Sequence, residues 1–590
     1  MYDPERVTTF ALADSRNKNV EFGIKAKDRT RHVYVIGKTG MGKSTLLENM
    51  AAQDIANGEG MAFIDPHGKT AELLLNYVPE HRLKDVLYFA PFDLEHPISF
   101  NVLEDVGFDK RHLVVSGLMS TFKKIWLDAW SARMEYILSN TLLALLETPE
   151  TTLLGVNRML ADKDYRKKIV DNVKDPSVKS FWVDEFAKYT DRFAAEATPA
   201  IQNKIGQFTS NPLIRNIIGQ PKSSFDLRKM MDENKIIIIN LSKGRVGEAN
   251  ANLLGSMLIT KIYLAAMSRA DVSEKELQKL PNFYLYVDEF QSFANESFAD
   301  ILSEARKYKL NLTIAHQYIE QMSEEVRAAV FGNVGTMVTF RVGAFDAEIL
   351  EKEFAPQFTA EDLVNLGFAQ IYLKLMINGV SSMPFSAVTM PPIKEPEISY
   401  RNEVVEMSRK QFAMNRANVE QDVLDWHKDK GQGHKLGTDN VSHNSVAVIE
   451  KKVTDTVVKT VEKKEIIPPP VKSFERPKYM RREDPRPPVL KPELPHDDNF
   501  MSLNDLKGKI PDNPATIKKA DAVNNLKSNT KKIMDPKSLS ELRSVLQSLN
   551  KNRTEDKASP PAPAQVNKPK EIPEEELRQM LQVDNNLTDK

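Results

Sequence analysis

The sequence predicts an α/β fold with a mainly parallel sheet, interrupted by an inserted all-α domain and followed by a largely disordered C-terminal tail. Three observations predict it. Short apolar runs alternate with helix-period segments, as buried parallel strands and their crossover helices do. The stretch 108–234 has helical patterning and no convincing strand run. More than half of the 33 prolines fall in the last third of the chain.

In chain order, strands are expected at 32–37 (HVYVIG), 61–65 (MAFID), 86–90, 235–241 (KIIIINL), 283–288 (FYLYVD), 311–316, 335–342 and 369–376. Helices are expected between them at 43–57, 251–269, 296–308 and 345–354. Residues 1–107 then form the first part of the core, 108–234 the all-α insertion and 235–395 the second part. A helical extension is expected at 396–429 and a Pro-rich tail at 430–590. The stretch 468–495 is Pro-rich and charged, which favours extended chain. The polar stretch 430–465 cannot bury enough surface to offset chain entropy. Two amphipathic patches, 538–549 and 574–583, read either as transient helices or as docking helices for a partner. No internal repeat is visible.

With 590 residues, a typical domain of about 150 suggests roughly four domains. Hydrophobic residues make up 41% and charged residues 28%, enough for a large core. Lys+Arg number 81 and Asp+Glu 82, which excludes a globally basic nucleic-acid coat but leaves a local basic channel open. Cysteine is absent, so disulfides and Cys-ligated metal sites are excluded. No stretch of about 18 apolar residues free of charge is visible, so no transmembrane helix is expected. The opening MYDPERVTTF lacks an apolar signal core. The expected location is cytoplasmic, with room for a peripheral position at the inner face of the cell membrane.

Gly37-Lys38-Thr39-Gly40-Met41-Gly42-Lys43-Ser44-Thr45 fits G-x-x-x-x-G-K-[ST] between a strand and a helix. Glycines let backbone N–H groups turn toward phosphate oxygens, and the following helix adds its positive end. Lys43 can bridge the β- and γ-phosphates of ATP, and the Ser44 hydroxyl can hold Mg²⁺. A second metal-side carboxylate is then needed. FYLYVDEF supplies Asp288 for the Mg²⁺ shell and Glu289 to polarise the attacking water. The strand NLTIAHQ ends in Gln317, whose amide either touches both a γ-phosphate and a water or caps a loop. Arg306 and Lys307 close a helix, where they either complement its dipole or supply an arginine finger to a neighbouring subunit. Asp65 and His67 in FIDPHGK either line the nucleotide pocket, couple it to the helical insertion, or form a turn with Pro66 and Gly68. His67 has no second His or Cys at ligand spacing, so no metal other than Mg²⁺ is expected. Arg341 and Asp346 flank a strand-to-helix turn and read either as a structural ion pair or as catalytic groups. Lys243 and Arg245 follow a strand and either face a subunit interface or DNA or have no such role.

The ordered set GKTGMGKSTLL, FIDPHGK, FAPFDLEHPISFNVLE, YVDEFQSF, EARKYKLNLTIAHQ and GNVGTMVTFRVGAFDAE resembles the HerA–FtsK branch of P-loop motors. Within that branch it is most similar to the cytosolic ATPase domain of conjugative coupling proteins, the TraD/TraG type of type IV secretion. The resemblance covers roughly 20–395. It implies a RecA-like core with an inserted all-α domain, a hexameric ring, nucleotide held between subunits, and double- or single-stranded DNA moved through a central pore. It also implies Lys43 and Ser44 as the Walker A pair, Asp288 and Glu289 as the Walker B pair, Gln317 as sensor and Arg306 as the trans-acting arginine. Membrane-anchored relatives carry N-terminal transmembrane helices, whereas this chain starts about thirty residues before its P-loop strand. A separately encoded anchor is therefore expected if the protein is anchored.

The leading expectation is an ATP-hydrolysing DNA translocase that contacts the phosphate backbone without reading sequence. Its tail would recruit secretion-machinery or relaxosome partners. The alternatives are an ATPase energising protein export or pilus assembly, and an assembly scaffold gated by nucleotide.

Overall fold

Eleven strands form one sheet in the order β2-β1-β13-β10-β9-β3-β8-β7-β4-β6-β5. They are β1 (Val7–Ser15), β2 (Lys18–Lys25), β3 (Val33–Ile36), β4 (Gly60–Asp65), β5 (Val86–Phe89), β6 (Ile236–Asn240), β7 (Phe283–Val287), β8 (Leu310–His316), β9 (Thr336–Thr339), β10 (Gln370–Lys374) and β13 (Phe385–Thr389). The short strands β11 (Met376–Ile377) and β12 (Val380–Ser381) pair separately. The computed structural model describes residues 3–15, 18–190, 196–295 and 297–428, all within one unit, Met1–Thr438. The tail at 430–590 and its amphipathic patches lie outside the described residues.

From β9 to β5 all neighbours are parallel. The remaining edge, β10, β13, β1 and β2, is antiparallel. The eight strands expected from sequence all form, each within two residues or so of the expected start. The hairpin β1–β2 and the strand β13 were not expected. Their apolar residues are sparse, and a bulge between Thr9 and Ala11 breaks the alternation in β1.

Every residue of β3, β4, β6, β7 and β8 is buried, because both sheet faces are covered. Period-two alternation survives inside these runs. Val33, Val35, Met61 and Phe63 pack with Leu46, Leu47 and Met50 of the helix Lys43–Ala56. Tyr34, Ile36, Ala62 and Ile64 face the other way, into the core that also holds Leu118, Phe122, Leu142 and Ile205. Those last four belong to a run of helices between Phe108 and Asp232 in which no described residue is in a strand. Beyond β13 the helices Arg401–Phe412 and Arg416–Lys428 follow.

The helix Glu248–Met267 runs through the interior. With its continuation to Asp271 it is long and apolar enough to cross a membrane, with mean hydropathy 1.2, yet 78% of that window is buried inside the protein. The sequence expectation of no transmembrane helix rested on the lack of a charge-free apolar stretch, and this helix carries Lys261. The Lys261 ammonium donates to the Glu104 carbonyl at 2.9 Å, so the charge is met by a backbone oxygen.

A buried ion pair fastens the N-terminal hairpin to the core. The Arg29 guanidinium donates to both Asp54 oxygens at 2.7 and 2.9 Å, to Thr8 Oγ1 in β1 and to the Tyr286 hydroxyl in β7. Its centre lies 3.8 Å from the Tyr284 ring centroid. The Arg29 and Asp54 side chains are 2% and 1% exposed. Removing one partner strands a charge in the interior, whereas replacing both with apolar groups can be nearly neutral. Asp54→Ala is therefore expected to cost about 3–5 kcal/mol in denaturant unfolding. The double variant Arg29→Met/Asp54→Leu should recover most of that loss. A loss below about 1 kcal/mol for Asp54→Ala would rule out this fastening role.

Candidate functional site

The strand order brings four chain segments to one sheet edge. Because β3, β8, β7 and β4 are adjacent and parallel, their C-terminal ends align. Gly37, Gln317, Asp288 and Asp65 therefore meet although they are far apart in sequence. Ligands of open α/β sheets bind at such edges.

After β3 the chain turns through residues 37–42 into the helix Lys43–Ala56. The loop is pinned by Gly37 N–H to His316 O at 3.2 Å and Lys38 N–H to Arg341 O at 2.8 Å. A third tie runs from Ala369 N–H to Met41 O at 3.2 Å. A side chain at Gly37 would place its Cβ 2.5 Å from Phe340 Cβ, so only glycine fits against that ring-bearing strand end. Gly42 takes φ 117°, which other residues avoid. Lys43 folds under the loop and donates to Gly37 O at 2.6 Å and Lys38 O at 3.2 Å. Burial pushes its ammonium below the usual lysine range, opposed by the charges of Glu289 and Asp288.

Ser44 Oγ donates to Asp288 Oδ2 at 3.0 Å. Asp288 also accepts the Glu289 N–H at 2.9 Å. Its carboxyl is raised to about 6, first by burial and then by the neighbouring charges of Glu289 and Asp65. Such crowding of carboxylates beside a hydroxyl suits a divalent cation, which would favour the ionised forms. No group of three or more His, Cys, Asp or Glu side chains suited to a metal occurs among the described residues.

Glu289 sits at φ 48°, a left-handed conformation costly for a residue with a side chain. The turn folds the following residues back on the carboxylate. Glu289 Oε1 accepts from Gln317 Nε2, and Oε2 accepts from Gln291 Nε2. Thr39 Oγ1 donates to Gln317 Oε1 at 3.0 Å, which closes a chain from the phosphate loop to Glu289. Sequence reasoning missed Gln291. The only signal for it was its position two residues after the Asp-Glu pair. His316 was also passed over. Its Nδ1 lies 3.1 Å from the Tyr34 hydroxyl. Burial, then the charges of Lys43 and Lys124, lower its pKa to about 3, so it is neutral near pH 7.

The other expected residues separate. Arg306 is exposed and precedes β8, at the sheet edge opposite the phosphate loop. Seven strand residues, roughly 20 Å, lie between it and the level of Gln317. It cannot serve the site of its own chain. Asp65 accepts from His67 N–H at 2.7 Å and Ala71 N–H at 2.9 Å, so it shapes the turn while lying near Asp288. The expected Arg341–Asp346 ion pair does not form among the described residues. Asp346 is buried and instead accepts the Ile319 N–H at 3.0 Å, so a backbone donor meets its carboxylate. Lys243 donates to Ser292 Oγ and pairs with Glu248, while Arg245 pairs with Glu72 and lies over the Phe92 ring.

Residues 20–362 match the family model described as the type IV secretion-system coupling protein DNA-binding domain. No curated protein matches the chain. Among solved structures, the bacterial conjugative coupling protein TrwBdeltaN70, unbound, is 15% identical, covering 67% of this chain and 92% of that one, with TM-score 0.49. The plasmid coupling protein TrwB in complex with ADP and Mg²⁺ is 16% identical, covering 64% and 90%, with TM-score 0.48. VirB4 of Thermoanaerobacter pseudethanolicus is 14% identical, covering 68% and 99%, with TM-score 0.41.

The raised Asp288 carboxyl predicts a pH signature. A carboxyl with a folded-state pKa above its unfolded value favours the folded state below the unfolded pKa, and that contribution is lost as pH rises through the folded one. For Asp288 the window runs from 3.8 to about 6. In chelator and without nucleotide, Asp288→Asn should match wild type near the bottom of this window. By pH 8 it should be more stable by on the order of 2–3 kcal/mol. Thermal or denaturant unfolding across that range measures the difference. A variant that is less stable than wild type at pH 8 would contradict the crowding of charge described here.

Proposed function

The chain belongs to the type IV secretion-system coupling protein family, and from that premise we propose that it hydrolyses ATP to move DNA without reading its sequence. The observation that carries this reading is the 3.0 Å bond between Ser44 and Asp288. It sets a phosphate cradle against a metal-side carboxylate from a distant strand.

In this reading the backbone from Gly37 to Thr45 cradles the phosphates, and Lys43 leaves its carbonyl partners to bridge the β- and γ-groups. Ser44 and Asp288 would hold Mg²⁺, which supplies neutralising charge at the phosphates. Glu289, gripped by two amides, orients the attacking water and takes its proton. Gln317 touches both Glu289 and Thr39, so it can report the γ-phosphate to the base. Arg306 serves the nucleotide of a neighbouring copy, which its position at the far sheet edge supports. A ring of six copies is the assembly we propose. Residues 1–107 and 235–395 act as the motor core, 108–234 as an inserted domain and 396–429 as an extension. The tail from 430 would recruit secretion or relaxosome partners.

Backbone contacts to DNA predict salt-sensitive binding. ATP turnover should rise with DNA, compared across single-stranded, double-stranded and no DNA. Lys43→Ala should lose nucleotide binding and turnover together. Glu289→Gln should keep nucleotide but lose turnover by about 100-fold or more. Turnover indifferent to any DNA, with no salt-dependent DNA binding, would overturn the DNA motor.

A further inference from the structure

The loop after β7, Glu289 to Asn295, is held by groups that do not belong to the phosphate cradle. Lys124 Nζ donates to Gln291 O at 2.5 Å and also to Ala294 O. Asn295 Nδ2 donates to Thr121 Oγ1 at 3.2 Å. Thr121 and Lys124 are three apart on the helix Arg111–Ile125 and share one face of it. Lys243 Nζ reaches Ser292 Oγ at 2.9 Å, and Ser256 Oγ reaches Phe293 O at 3.4 Å. The phosphate loop, by contrast, is tied to His316, Arg341 and Ala369.

We propose that Lys124, assisted by Thr121, is a positioning residue for Glu289, so that the helix Arg111–Ile125 sets the rate of hydrolysis without setting nucleotide affinity. This rests on the ATPase reading above. The Gln291 carbonyl that Lys124 holds belongs to the same residue whose amide grips the Glu289 carboxylate. Glu289 is held at φ 48°, so a released loop has a less strained conformation to relax into. Space for that movement exists. A cavity of about 420 Å³ lies beside the contact, lined by Thr121, Lys124, Asn252 and Ser292. Asn252 Oδ1 and Gln291 Oε1 are buried there or nearby without a hydrogen-bond partner. The loop is thus fixed chiefly at its backbone carbonyls, by a helix from the block between Phe108 and Asp232. Any load that shifts this helix would move the base and leave the cradle in place.

The test uses the full chain with Lys124→Met, Lys124→Arg and Glu289→Gln. Lys124→Met should lower kcat by about 10- to 100-fold, because small displacements of a catalytic group are costly. Its affinity for a fluorescent ATP analogue should stay within about twofold. Amide exchange across 290–295 should quicken while exchange in 38–47 stays unchanged. Lys124→Arg should restore most of the rate, since a guanidinium can also donate to two carbonyls. If Lys124→Met turns over like wild type while Glu289→Gln is inactive, the positioning role is overturned. A parallel fall in kcat and affinity, or no rescue by arginine, overturns it too. If Glu289→Gln turns over like wild type, the ATPase reading itself fails.

Discussion

One hydrogen bond, Ser44 Oγ to Asp288 Oδ2, closes a separation of 244 residues. Everything chemical in the molecule depends on that closure. Neither partner is placed by its own neighbours. Ser44 opens a helix after β3, and Asp288 follows β7, with β8 between the two strands. Parallel pairing of β3, β8 and β7 is what makes their C-terminal ends coincide, and helices on both faces are what permit a parallel sheet. The helices outside the motifs are therefore part of the site's construction. The buried Arg29–Asp54 pair works at the same level, since it joins the N-terminal hairpin to the helix that begins with Lys43 and Ser44.

The closure carries an electrostatic cost that also defines the site's chemistry. Asp65, Asp288 and Glu289 gather beside one lysine, and burial weakens the screening between them. Burial of the Asp288 carboxyl raises it to about 6, and the neighbouring charges of Glu289 and Asp65 add to the shift. A protein that only needed a stable sheet would gain nothing from this arrangement. In the proposed function its use would lie in attracting a divalent cation and a polyanion together, each offsetting the other's field. His316 shows the complementary choice. It is buried among cations, stays neutral, and leaves the charge balance to the carboxylates and Lys43.

What could be read in the sequence follows from how local each signal is. The phosphate loop was legible because its glycines, lysine and serine are contiguous and their spacing answers to one ligand. Asp288 and Glu289 were legible because an apolar run ending in acid marks a strand end. Gln291 was not, since its contact with Glu289 exists only after the left-handed turn at Glu289 folds the chain back. The hairpin β1–β2 escaped because edge strands need few apolar residues, and Phe10, Phe22 and Ile24 are buried by the tertiary core rather than by a visible pattern. The Arg341–Asp346 pair failed for a related reason. Proximity in sequence suggested it, but a backbone N–H at Ile319, brought near by the fold, took the carboxylate. Helix Glu248–Met267 shows the converse. Its apolar composition suits a membrane as well as a core, and only its burial decides.

The helices between Phe108 and Asp232 are not loosely attached to the sheet. Leu118 and Phe122 share a continuous core with Tyr34, Ile36, Val287 and Phe290, which flank the phosphate loop and the Asp-Glu pair. Packed interiors transmit displacement because they contain little free volume. The polar ties from Thr121 and Lys124 are laid along that same helix, within two residues of the buried Phe122. Apolar packing fixes where the helix can go, and the two hydrogen-bonded side chains convert its position into the placement of a carboxylate. On the proposed reading the two loops, joined to each other through Thr39, Gln317 and the Ser44–Asp288 bond, keep distinct outer ties, so the carboxylate can shift while the nucleotide stays held. That division follows from which atoms each loop is tied to.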